Sequence, residues 1–193
     1  MTATLWRLLA QVATERGLRW LGVGIWVLLA LGLAACLDNG ADSPGDPVLR
    51  DGSRLPGFAE VAFEIETAAG DVSAYCALLA DTEELRAQGM IGQSDFAGYD
   101  GMVFRYQADS TGQYHMRGVP IPLAIAWFAG DGTFVSSAEM DACPEATGAC
   151  AERRYGAAGP FRTALEAPAG GLSVLGIGPG SRISVGGSCA GGG

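Results

Sequence analysis

The stretch "PLAIAWFAGDGTFVSSAEM", residues 122–140, decides how the rest of the chain is read. Two apolar runs, one ending at Phe128 and the other opening at Phe134, flank a short link that holds Asp131-Gly132. Asp-Gly supplies the positive backbone φ that tight hairpin turns require, so the pair marks two antiparallel strands. The same signals recur on either side. Val61, Phe63 and Ile65 alternate with Glu60, Glu64 and Glu66, the period of two of a half-buried strand. Gly70-Asp71 offers a turn, and Val72 to Ala80 returns as a second strand. "GMVFRYQ", from Gly101, sets Met102, Phe104 and Tyr106 on one face, while "FRTALEAP" and "RISVG" supply the last strands. "DTEELRAQGM" reads as a short helix, with Asp81 placed to cap it, Glu84 three residues on and Gly89 ending it. Short strands joined by Gly-rich links predict a mainly β domain, a compact antiparallel β-sandwich or barrel with one short α-helix.

Ahead of this domain lies a segment of another kind. Arg7, Arg16 and Arg19 face the single acid Glu15, and an apolar stretch then runs from Trp20 to Ala35. That stretch is shorter than the roughly 18–20 residues needed to span a bilayer, and it ends in small residues as export signals do. Leu33-Ala34-Ala35-Cys36 resembles the bacterial lipobox, whose cysteine receives lipid and becomes the new N-terminus. The expectation is a lipoprotein signal peptide over 1–35, lipidation at Cys36 and a mature protein held on the outer side of the bacterial cell membrane. Ordinary signal cleavage or an uncleaved anchor are the alternatives. The basic leader is long, so translation could also start downstream of Met1. Residues 36–57, rich in Gly, Pro, Asp and Ser, read as a flexible linker with a typical reach of roughly 25 Å. The β domain then fills 58–193.

The chain carries a formal charge of −9 and no lysine. Removing 1–35 takes away three arginines and one glutamate and leaves −11. Such a surface repels phosphate backbones, so nucleic acid is an unfavoured partner. It also opposes adhesion to anionic lipid heads, so the membrane tether must be the lipid itself. A monomer is expected.

With Cys36 assigned to lipid, Cys76, Cys143, Cys150 and Cys189 remain. An even number in an exported chain points to disulfides, and four cysteines allow three connectivities. "CPEATGAC" would close a short loop between Cys143 and Cys150, which leaves Cys76 for Cys189. Zinc is the rival, but there is no C-x-x-C pair and only one histidine.

Between Val72 and Val185 stand, in order, "ADTEELRAQGM" through Arg86, Gly89 and Met90, then "GMVF" at Gly101–Phe104, and "HMRGVPIPLAIAWF" from His115. Cys143 with its neighbouring proline, Leu165-Glu166, and Gly176 with Gly180 follow. With these motifs the stretch resembles a bacterial and archaeal family, domain of unknown function 192 (DUF 192). The resemblance implies a compact, mainly β domain, frequent export and no established activity. Where the family usually has Trp, Lys, Asn and Thr, this chain has His115, Arg117, Gly118 and Val119. The aspartate usual after Ile-Pro-Leu is Ala124, so no carboxylate role carries over to that position.

Candidate chemistry is sparse. His115 and Met116, if on a strand, point to opposite faces and cannot easily share a metal. Met90, Met102 and Met140 sit at apolar positions that suit a core. A Cys76–His115 nucleophile would need a free thiolate. Asp100, Glu139 and Glu166 are candidates for acid–base work, though twenty acids in the mature chain make pairs uninformative. "GIGPGS", from Gly176, leads into a strand and reads as turn glycines, not as a phosphate loop. No metal or cofactor is expected. The binding candidate is a patch of Arg86, Met90, His115 and Arg117, in which two arginines on an acidic domain could hold a small anionic ligand. The bland alternative pairs Arg86 with helix acids such as Glu83, and Arg117 with a nearby acid. The favoured reading is a non-catalytic envelope module that binds a small ligand or an envelope protein. The alternative is an envelope hydrolase using carboxylate or histidine chemistry.

Overall fold

A computed structural model describes Leu55 and residues 57–189. The signal segment, Cys36 and most of the linker lie outside the described residues. The chain divides into two units, Met1–Asp46 and Pro47–Gly193, and every described residue belongs to the second. Leu55, assigned to the linker by composition, is buried in the core, so the packed domain begins earlier than residue 58.

Among the described residues, nine strands and two short helices follow in order: β1 (Ala59–Glu66), β2 (Val72–Ala80), α1 (Glu83–Gln88), β3 (Gly101–Ser110), β4 (Gln113–Tyr114), β5 (Leu123–Phe128), β6 (Phe134–Met140), β7 (Tyr155–Gly156), β8 (Phe161–Pro168), α2 (Gly171–Val174) and β9 (Arg182–Val185). Seven strands form one sheet in the order β6-β5-β8-β3-β2-β1-β9, and β4 with β7 forms a separate ribbon. The mainly β, sandwich-like class is as expected, with three corrections. The sheet is mixed, because β2 and β3 run parallel, as they must when α1 carries the chain across between them. A second helix, α2, exists; its single turn follows two glycines and has no periodicity to betray it. The sheet does not close into a barrel.

It comes near to closing. The β5–β6 link touches the start of β9 at one corner, through a bridge between Thr133 and Arg182. The Ile183 N–H donates to the Gly132 carbonyl at 2.8 Å, and the Phe134 N–H donates to Ser181 at 3.1 Å. Gly132, at φ +84°, turns the hairpin and also admits β9, since a Cβ there would lie 2.2 Å from the Ile183 carbonyl oxygen.

Both faces of the sheet are covered. Along β5, which is buried throughout, Ala124, Ala126 and Phe128 join one cluster with Phe63, Ile65, Leu165 and α2's Leu172. Leu123, Ile125 and Trp127 join the other, with Met90, Phe104, Met116 and Phe161. The unbroken apolar run of "LAIAWF" is therefore a strand with two buried faces. α1 is capped one residue later than Asp81: the Thr82 Oγ1 accepts from the Leu85 N–H, and Gly89 is the C-cap. Asp81 instead pairs with Arg105 at 3.0 Å.

Candidate functional site

The second cluster opens at one place into a recess of about 170 Å³. β3, β8 and the β4 ribbon form its floor and α1 its rim. Arg86, Met90 and His115 all line it, together with Tyr106, Tyr114 and Glu166. Three of the four residues singled out from the sequence thus meet at one cavity. Arg117 is not among its lining residues.

Glu166 is the unexpected centre. It lies in the middle of β8, directly between Met102 of β3 and Ile125 of β5. It is 5% exposed and has no side-chain hydrogen bond or ion pair among the described residues. Loss of solvent raises its pKa to about 8, so at pH 7 the carboxyl is mostly protonated and neutral. Sequence reading placed Glu166 among three carboxylates without preference. The signal was a charged residue inside the otherwise apolar half of "FRTALEAP", where an acid belongs only if paired or functional. The other two stand elsewhere. Asp100 accepts from the Cys76 N–H at 2.8 Å, and Glu139 is exposed on β6.

Above Glu166 sits a pair of phenols. The hydroxyls of Tyr106 and Tyr114 lie 3.0 Å apart, so one of them keeps a proton to offer elsewhere. Burial, foremost, with Tyr106 and Glu166 nearby, holds Tyr114 protonated well above the ordinary phenol range. Arg86 stacks over the Tyr106 ring at 4.7 Å. Its Nη1 donates to the carbonyls of Asp81 and Arg105 at 2.8 and 2.9 Å. It makes no ion pair among the described residues, so the bland pairing with Glu83 is not what holds it.

His115 follows β4 directly, lining the recess while the adjacent Met116 is buried in the core. Its Nδ1 is buried without a partner. Partial burial first, then the charges of Arg117 and Arg154, lower its pKa below the ordinary imidazole value, so it is neutral at pH 7. Arg117 acts on His115 through charge alone. Its buried Nε has no hydrogen-bond partner, and it has no ion pair among the described residues.

The wall carrying His115 is held from behind. Cys143 is bonded to Cys150 and Cys76 to Cys189. The Cys143 N–H donates to Val119 at 2.8 Å, and the Gly118 N–H donates to Glu145 at 3.2 Å. Residues 113–119 are thus clamped between the β4–β7 ribbon and the short disulfide loop. Two sets, Glu60 with Cys76 and Cys189, and Glu145 with Cys143 and Cys150, have metal-like spacing, but in both the thiols are spent on the bridge. No Cys76–His115 pair exists, because Cys76 is disulfide-bonded.

A curled mixed sheet with an uncompensated acid beneath a tyrosine–arginine recess defines a small β domain. Residues 64–185 match the DUF192 family, described as an uncharacterised ACR, and the chain belongs to that family. A crystal structure from Sinorhizobium meliloti 1021, provisionally described as a transcription regulator, shares 26% identity at a TM-score of 0.58, over 66% of this chain and 95% of the other. A protein of unknown function from Novosphingobium aromaticivorans DSM 12444 shares 25% identity at a TM-score of 0.58, over 72% of this chain and 93% of the other. No curated protein matches.

Proposed function

We propose that the chain is an exported, lipid-anchored module of the cell envelope that binds a small polar ligand in the Glu166 recess and does not transform it. One observation carries this reading: a buried carboxyl with no protein partner faces a cavity, and such groups persist where a ligand completes them. Arg86, His115 and the tyrosine pair surround it with further hydrogen-bonding capacity. The lipobox-like Leu33-Ala34-Ala35-Cys36 supports the address.

A proton-donating Glu166 would also suit the hydrolase alternative. Yet Glu166 is the only carboxylate among the described residues that line the recess, and glycoside hydrolysis needs two. Direct DNA binding, which the description of the Sinorhizobium relative raises, is opposed by a net charge of −9.

The test is native mass spectrometry of the full chain extracted from membranes, beside His115→Ala and Cys36→Ser. The expected result is an acylated wild type with a bound small molecule, depleted in His115→Ala, and a Cys36→Ser protein in the soluble fraction. A bare mass in every form would remove the binding reading. Wild type without acyl mass would remove the anchor.

A further inference from the structure

We propose that the ligand is a small carboxylate bound together with one shared proton, the Glu166 carboxyl donating to the ligand's carboxylate oxygen. This rests on the binding reading above and names the chemistry of that same site.

The first argument is donor count. At neutral pH Glu166 carries a hydrogen with no acceptor among the described residues. The Tyr106–Tyr114 pair has one hydroxyl hydrogen to spare. Arg86 spends only Nη1 on backbone carbonyls, leaving Nε and Nη2 without a partner among the described residues. Residues of several elements that carry spare donors line the same recess, which suits a ligand that only accepts, and a carboxylate is such a group. The second argument is charge. Among the described residues, one guanidinium and no other fixed cation line the recess, which balances a monoanion. A phosphate would bring up to two charges into a chain already at −9. An alkylammonium would force Glu166 to ionise while Arg86 repels the guest. The third is size. A dry cavity of about 150 Å³ holds benzene, so 170 Å³ takes about six to eight non-hydrogen atoms. That range fits a short monocarboxylate or the carboxylate end of a longer acid.

The proton count fixes the pH response. Below pH 8 Glu166 already holds the proton, and the ligand docks without drawing one. Above it, binding must take one proton from solvent, or set two carboxylates side by side. The groups facing Glu166 do not blur this window. Tyr114 and Tyr106 come from β4 and β3, Arg86 from α1, and His115 from the segment after β4. Tyr114 stays protonated, and His115 is neutral from pH 7 upward. The core neighbours Met102, Phe104 and Ile125 do not titrate.

The experiment is calorimetric titration of the full chain in detergent with acetate, propionate and butyrate at pH 7 and pH 9.5. Each pH is repeated in buffers of different ionisation heat. Affinity should fall tenfold or more at pH 9.5, with about one proton taken up per ligand there and none at pH 7. Glu166→Gln, which keeps a neutral donor, should bind at both pH values with no proton uptake. Arg86→Gln should bind at least tenfold more weakly at both. If Glu166→Gln does not fold, the wild-type proton count alone decides. Carboxylate affinity unchanged by pH without proton uptake would overturn the shared proton. Preference for methylammonium or inorganic phosphate would overturn the ligand class while leaving the binding reading intact. Empty titrations with every probe, together with a bare native mass, would remove both.

Discussion

At the scale of single residues, the domain tolerates at Glu166 what a core designed only for stability would remove. A carboxyl whose pKa is raised to about 8 on folding binds a proton more tightly in the folded state than in the unfolded chain. Stability from this group is therefore fully present below about pH 4.5, the ordinary carboxyl range. It is lost progressively as pH rises to about 8 and is constant beyond. Glu166→Gln should accordingly be near neutral at pH 4.5 and stabilising by about 4 kcal/mol at pH 8.5, measured by urea unfolding at the two pH values. Equal effects at both would mean that Glu166 finds a partner which keeps it ionised. Of the site itself, the sequence disclosed Arg86, Met90 and His115 as one patch, and Glu166 only as one of three acid–base candidates with nothing to join it to them. Arginine and histidine are scarce here and draw the eye, whereas Glu166 hides among twenty-one acids until strand pairing sets it between Met102 and Ile125. The scarcity of arginine on an acidic domain draws Arg117 into the same patch, yet Arg117 does not line the recess.

At the scale of elements, period and turn chemistry revealed most of the sheet. β1, β2, β3, β5, β6, β8 and β9 announce themselves by alternation, by unbroken apolar runs or by Asp131-Gly132. What stayed hidden has a common cause. The two-residue strands β4 and β7 and the one-turn α2 are too short to show any period, and they exist because the larger sheet offers them a surface. The parallel β2–β3 pairing follows from a crossover whose direction no local pattern encodes. Gly132 links the two kinds of information. Its hairpin role was legible; its second role as the landing point for β9 was not. Gly132→Ala would meet both a left-handed φ and a backbone carbonyl. It should cost about 2 kcal/mol or more and lower Tm by several degrees, read by thermal denaturation. A Tm within one degree of wild type would show that the β9 corner opens at little cost.

At the scale of the whole molecule, the two disulfides do unequal work. Cys76–Cys189 closes a sequence separation of 113 and Cys143–Cys150 one of 7. Chain-entropy reasoning assigns about 4–5 kcal/mol to the long link and about 2–3 kcal/mol to the short one. Replacing Cys76 and Cys189 by Ala should therefore lower unfolding stability more than the equivalent change at Cys143 and Cys150. The short bridge should matter more to the His115 wall, so its loss should weaken ligand retention while sparing most of the stability. Chemical unfolding of both double variants checks the order; a reversed order would place the energetic weight on the 143–150 loop.

The pairing of β1 between β2 and β9 also sets a clock. Among the described strands β1 is made first and β9 last, so the side of β1 that β9 pairs, Phe63 and Ile65 included, waits unpaired until Arg182–Val185 has been made. A strand edge of that kind recruits other chains, and the wait is long because the closing contact is so distant in sequence. A chain interrupted anywhere between Ser110 and Arg182 carries that open edge for life, and aggregation is then its natural fate.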